Sequence, residues 1–396
     1  MSEKTSVFHP PARLLLGPGP SMVDSRVYQA MTAPVIGHLD PACFTLLADL
    51  QRMLRSVFAT DSRFVLALSG TGSSGMEAAI ANFVRPDEDI AVFVNGYFGE
   101  RICDMAQRWG ARLHRIEAPW GEAFAAQRAR EALGTLKPKL VAIVHAETST
   151  GVRNPIRELA EAAHERGALL LADAVTALGA MPVEFDANGI DICYSCTQKG
   201  VGAPPGLAPF ALSKRAVEAL HARPRKPAAW YLDLRLLEEY WFEPHKYHHT
   251  VPITMFYALR EALRLIEEEG LAARFERHRR NHLAFVAGVE AMGLKLLVKP
   301  EDRLWPLNTV CVPQGIDDGK VRKRLLEEFS IEIASGFGPL AGKIFRIGLM
   351  GSSSTAENVR TMLHALERTL AAEEYKASTP GAAVAAADAA LSAGQA

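Results

Sequence analysis

The sequence predicts an α/β fold: a large domain built on a mostly parallel sheet flanked by helices, followed by a smaller C-terminal α+β domain. Three observations carry this expectation. Between residues 63 and 172 short apolar runs alternate with helical stretches, as they do when a parallel sheet is covered on both faces. After Ser213 the alternation gives way to long helical patterns. At 396 residues the chain is longer than one small core accommodates, so two domains are expected. The boundaries read as an N-terminal extension over 1–14, a large domain over 15–272, a small domain over 273–375 and an Ala-rich flexible tail over 376–396.

In chain order, Leu14-Leu-Leu-Gly17-Pro-Gly-Pro20 is a rigid turn after an apolar run, bringing backbone close to a neighbour without intervening side chains. A helix follows from Asp40, with Leu46, Leu47, Leu50, Met53, Leu54 and Val57 on one face. Arg63–Leu68, Ile90–Val94, Arg112–Ile116, Leu140–Val144 and Ala168–Ala172 read as strands, and Gly75–Phe83, Glu100–Trp109 and Ile156–Arg166 as helices. Thr250–Leu271 and Arg274–Met292 are long helical patterns, the second bridging into the next unit. Residues 294–374 read strand, strand, helix, strand, strand, helix, and the tail as frayed or weakly helical.

Composition excludes several function classes. A formal net charge of −1 offers no broad basic field for nucleic acid. Five scattered cysteines fit a reducing compartment. The opening residues lack the apolar stretch of a signal peptide, and Ala168–Leu178 is too short and carries Asp173, so no membrane span is expected. The closing Ala-Gly-Gln-Ala is no peroxisomal address, and the cytoplasm is the expected location.

Ligands on such sheets bind beyond the carboxyl ends of the strands. There, Ser69-Gly-Thr-Gly-Ser-Ser-Gly75 lies between a strand and a helix, with glycines that let backbone N–H groups approach a phosphate. It matches the dinucleotide pattern G-x-G-x-x-G, yet the next strand ends Val94-Asn95-Gly96 without the acid a ribose needs. Asn95-Gly-Tyr-Phe-Gly99 offers two aromatics to a flat ring, and His145-Ala-Glu-Thr-Ser-Thr150 offers hydroxyls. Asp173 ends an apolar strand, where a carboxylate needs a partner such as a helix start or a protonated pyridine nitrogen. Lys199 then sits between a strand and the rigid Gly-Val-Gly-Ala-Pro-Pro-Gly206 turn. A confined amine loses its proton more readily and can form a Schiff base. An anion loop, a stacking aromatic, a buried Asp and a fixed Lys together describe pyridoxal 5'-phosphate chemistry.

At these residues the sequence resembles the class V aminotransferases of fold type I, and among them the alanine–glyoxylate and serine–glyoxylate (serine–pyruvate) aminotransferases. The resemblance runs through Leu16-Gly-Pro-Gly-Pro20, Gly37-His-Leu-Asp-Pro41, Ser69-Gly-Thr-Gly72, Glu147–Val152, Gln198-Lys199, Tyr247-His-His-Thr250 and Arg346–Gly351. It implies that Lys199 carries the cofactor and Asp173 pairs with its ring nitrogen. Thr71, Gly72, Ser73 and Gln198 would hold the phosphate, Thr148 the ring hydroxyl, and Val175 one ring face. Phe98 stands where animal members have a stacking Trp, which leaves the stacking to Phe98 or Tyr97. Tyr247 and Thr250 would reach the phosphate in a neighbouring subunit, implying a symmetric homodimer. Arg346 would grip the substrate carboxylate, with Gly19 leaving room for a small substrate. The implied reaction moves an amino group from alanine or serine to glyoxylate or pyruvate by ping-pong transfer.

Three alternatives stand beside it: a lyase such as a cysteine desulfurase on the same fold, a nicotinamide dehydrogenase, and a cofactor carrier without catalysis. Cys193-x-x-Cys196 lies in a strand without a second pair. His278 and His282, spaced as metal ligands on a helix, sit among arginines and read as a solvated basic face.

Overall fold

The computed structural model describes residues 7–375 and 379–393; the expectations for residues 1–6, 376–378 and 394–396 lie outside them. The central sheet has seven strands. In spatial order they are Val65–Ser69, Leu207–Leu212, Ile192–Tyr194, Leu169–Asp173, Leu140–Val144, Asp89–Val94 and Arg112–Glu117. Leu207–Leu212 runs antiparallel to both neighbours, and the remaining pairs are parallel. Leu140–Val144 is buried along its whole length, as a central parallel strand covered on both faces must be.

The helix Pro41–Phe58 shows how local signals set the element ends. Asp40 accepts from the Ala42 N–H, Pro41 occupies the first turn, and the expected apolar face is buried. The helix after the glycine loop spans Gly72–Phe83, so its first turn begins three residues before the expected start at Gly75. That shift places the loop's glycine and serines inside the helix start.

A second apolar core gathers Ala284, Phe285, Val310, Phe345, Ile347 and Leu366. Its sheet orders Leu307–Cys311, Ile344–Gly348 and Ala334–Ser335, all antiparallel. The strand expected near residue 294 is reduced to one isolated bridge, Leu296 to Val310. Leu14–Leu15 pairs in parallel with Ile331–Glu332, and Leu16 is buried in this second core. Leu14–Leu16 therefore pack with the C-terminal unit.

Helix Leu271–Ala291 joins the two cores. Near its start Arg274 donates to the carbonyls of Gly179 at 2.7 Å and Gly200 at 2.8 Å; further along, Ala284, Phe285 and Val289 enter the second core. Of the two forms expected for the tail, frayed or weakly helical, the helical one is present. Ala382–Ala393 is a helix with Ala383, Ala387 and Leu391 buried. Alanine is the strongest helix former, and a Cβ at Gly288 would lie 2.8 Å from the Ala383 carbonyl, so glycine there permits the close approach.

His278 and His282 correct the basic-face expectation, because both are buried. His278 pairs through Nδ1 with the Arg274 carbonyl at 2.7 Å and accepts from Gly351 N–H through Nε2 at 3.0 Å. His282 Nδ1 meets Asn308 Oδ1 at 2.7 Å. Burial holds their pKa values down to about 3 and about 4, so both are neutral core groups. Among the described residues no helix is long and apolar enough to cross a membrane.

Candidate active site

The parallel strands bring their carboxyl ends, Ser69, Val94, Val144, Asp173 and Tyr194, to one rim of the sheet. A cavity of about 130 Å3 opens there, bordered by Thr71, Gly72, Ser73, Phe98, Thr148, Asp173, Val175, Gln198 and Lys199. A larger cleft of about 520 Å3 is lined by the starts of two helices, at Ala126 and Arg157, but its lysine, Lys299, is exposed and paired with Glu301 and Asp302.

Asp173 is 2% exposed. Its Oδ1 accepts from Val175 N–H at 2.8 Å and its Oδ2 from the Tyr194 hydroxyl at 2.7 Å. Tyr194 lies opposite Asp173 on the adjacent strand, a partnership set by register and not legible in the sequence. Burial pushes the Asp173 carboxyl up to about 6, against the pull of these two donors. The folded chain without a bound cation therefore holds a proton here that the unfolded chain releases. Between about pH 4 and about pH 6 this group's contribution to stability falls as pH rises. Asp173→Asn is expected to remove that part of the slope, read as the difference between thermal melts of the two proteins across that window. Parallel pH profiles would show that Asp173 is not the group titrating.

Lys199 lies in a single π-helical turn, Thr197–Val201, and itself leaves helical geometry at φ −117°, ψ −124°. Its side chain is folded under the Gly17–Pro20 turn, with Nζ donating to the Pro18 carbonyl. Ser21 pins this arrangement, donating from N–H to the Gln198 carbonyl at 3.0 Å and from its hydroxyl to the Lys199 carbonyl at 2.9 Å. At Gly19, φ is +108° and an added Cβ would lie 2.5 Å from Lys199 Cδ, so only glycine fits. Burial lowers the amine's pKa; among nearby charges Arg346 lowers it further, and Asp173 opposes.

The helix start at Gly72 supplies the anion cradle, since first-turn N–H groups have no intrahelical acceptor. Thr71 makes no side-chain cap bond, which leaves its hydroxyl free. A Cβ at Gly72 would press on Val175 at 3.0 Å and Cys196 at 3.3 Å. The Gln198 amide has a buried, unpartnered Oε1; the amide's two ends are interchangeable, so it can turn a donor toward an anion. Thr148 Oγ1 is 3.0 Å from Thr176 Oγ1.

Phe98 lines the cavity, whereas Tyr97 packs on Phe337 with ring centroids 4.7 Å apart. The turn that presents them depends on Glu147, which sequence reading left without a role. Its Oε2 accepts from the N–H groups of Phe98 at 3.2 Å and Gly99 at 3.3 Å. Burial raises the Glu147 carboxyl to about 7. Arg101 also borders the cavity and was not legible in advance. Cys196 does too, but burial pushes its thiol up to about 12, which leaves it inert as a nucleophile.

Arg346, 3% exposed, donates from Nε to the Ser335 carbonyl at 2.7 Å and reaches the Thr148 carbonyl with Nη1 at 3.5 Å. Its guanidinium carbon is 4.1 Å from the Phe337 ring centroid. Burial lowers its pKa to about 10, and it stays cationic at neutral pH. Tyr247, 56% exposed, and the exposed Thr250 do not border the cavity of their own chain.

These residues fit a pyridine aldehyde phosphate: a neutral cradle at a helix start, a buried carboxylate lacking a cation, and a confined amine. The family model described as Aminotransferase class-V matches residues 25–361. The chain is 40% identical over 378 residues to an (S)-ureidoglycine–glyoxylate transaminase of Bacillus subtilis, covering 91% of each. It is 38% identical over 364 residues to an alanine–glyoxylate aminotransferase of Callithrix jacchus, covering 91% of this chain and 88% of that one. The solved structure of an alanine–glyoxylate aminotransferase from Nostoc sp. superposes with a TM-score of 0.92 at 49% identity, covering 93% and 98%.

Proposed function

The chain belongs to the class V aminotransferases, and we propose that it transfers the amino group of alanine or serine to glyoxylate or pyruvate, using pyridoxal 5'-phosphate carried on Lys199. The observation that carries this reading is a single cavity bordered by a confined amine, a buried carboxylate and a helix start. The glyoxylate substrates in the names of the relatives support the acceptor.

The bound group supplies an electron sink for the bond broken at the substrate's Cα. Asp173, held by Tyr194 and Val175, would pair with the ring nitrogen and favour its protonated form. Lys199, its pKa lowered by burial, would carry the cofactor and move the proton at the substrate's Cα. Arg346 binds the carboxylate that all four substrates share, so one site serves both half-reactions. The Gly17–Pro20 turn covers the amine and limits water's access to it. Thr71, Gly72, Ser73 and Gln198 would hold the phosphate, Thr148 the ring hydroxyl and Val175 one ring face.

The exposed Tyr247 and Thr250, beside exposed Val35, Leu39, Trp230 and Tyr231, support a symmetric homodimer in which each subunit completes its partner's phosphate site. The free cysteines fit a reducing compartment, which supports the cytoplasm.

The purified protein is expected to be yellow, and borohydride to fix the colour on Lys199 in peptide maps. Kinetics with alanine and serine against glyoxylate and pyruvate would rank the donors and acceptors. A colourless protein that binds a reduced nicotinamide would overturn the reading.

A further inference from the structure

We propose that Arg101 binds the cofactor's phosphate, supplying the fixed positive charge that the rest of the cradle lacks. This rests on the pyridoxal 5'-phosphate reading above. A phosphate monoester carries between one and a half and two negative charges near neutral pH, by analogy with a phosphorylated side chain (about −1.5 to −2). Against that charge the cradle offers hydroxyls, an amide and a helix start worth about half a positive charge. The other cations are committed: Arg346 is anchored on Ser335 and Phe337, and burial favours the neutral form of Lys199.

Arg101 projects from the helix Tyr97–Arg108 into the same cavity. Its Nη1 donates to Ser73 Oγ at 3.2 Å, on the first turn of the cradle helix. The guanidinium carbon is 5.0 Å from the Phe98 ring centroid and 5.3 Å from that of Tyr97. The two rings, set nearly perpendicular, confine the guanidinium, and one contact to Ser73 leaves most of its five N–H donors available. Its sequence neighbour Glu100 is engaged by Arg115 at 2.7 Å, and among the described ion pairs Arg101 enters none. A part-buried guanidinium with free donors and no acid partner, set against a neutral anion cradle, is matched to a phosphate by its planar fork.

Binding, not turnover, provides the test. Cofactor-free wild type and Arg101→Gln would be titrated with pyridoxal 5'-phosphate and with pyridoxal, which lacks the phosphate, following tryptophan fluorescence. The variant is expected to bind pyridoxal 5'-phosphate about tenfold or more weakly, as loss of a charge-assisted hydrogen bond implies. Its affinity for pyridoxal should stay within about twofold of wild type, well below the smallest effect of a lost ionic contact. Arg101→Lys should recover part of the loss. Equal weakening for both ligands would assign Arg101 to packing on Phe98 and overturn the proposal. A raised KM for glyoxylate with unchanged cofactor affinity would assign it to the substrate carboxylate and overturn it equally. Wild-type protein that binds neither ligand would sink the cofactor assignment itself, and this proposal with it, a failure visible before any variant is compared.

Discussion

Lys199→Ala is expected to cut turnover by at least about 10²–10⁴-fold, the share that positioned proton transfer alone contributes. The full loss should be larger, because on the proposed reading the same amine would also anchor the cofactor. The fold should survive. The turn around residue 199 is set by backbone bonds, Gly202 N–H to the Lys199 carbonyl at 3.0 Å and Ala203 N–H to the Thr197 carbonyl at 2.9 Å. The Ser21 bonds to the Gln198 and Lys199 carbonyls also use no lysine side chain. Circular dichroism and melting should therefore match wild type while single-turnover kinetics collapse. A small amine added in solution should restore some proton transfer. A folded variant turning over at the wild-type rate would remove Lys199 from the chemistry.

Arg346→Ala should act on a different step. Its guanidinium is buried, oriented by Ser335 and stacked on Phe337, so a carboxylate meets it already aligned and partly dehydrated. A hydrogen bond to a charged group is worth about 1.5–3 kcal/mol, or roughly tenfold to 150-fold in kcat/KM. Most of the change should fall on KM for alanine and glyoxylate. Arg346→Lys keeps a charge but loses the fork and the flat stack, so it should recover only part. An unchanged KM in the alanine variant would place carboxylate binding elsewhere.

The parallel sheet and the residues at its strand ends were legible because apolar runs ending in Gly, Ser, Asp and Lys are local signals. What sequence could not supply was register. Tyr194 meets Asp173 only because their strands pair at that position, and Glu147 reaches the Phe98 and Gly99 amides across a gap of about fifty residues. Arg101 reads as one more helix arginine until Ser73 is beside it. The buried histidines of helix Leu271–Ala291 were misread for a related reason. Flanking arginines imply solvent, but Arg274 itself points inward to Gly179 and Gly200.

The same long helix ties distant parts of the molecule together. Its first turns brace the carbonyl of Gly200, the residue after Lys199, and its far end is clasped by the alanine helix Ala382–Ala393 at Gly288. Shortening the chain ahead of that clasp would bare an apolar seam, and the strut behind the amine would lose its distal anchorage. Tags and trims at this end are thus not neutral choices, although the chemistry lies at the opposite end of the rod.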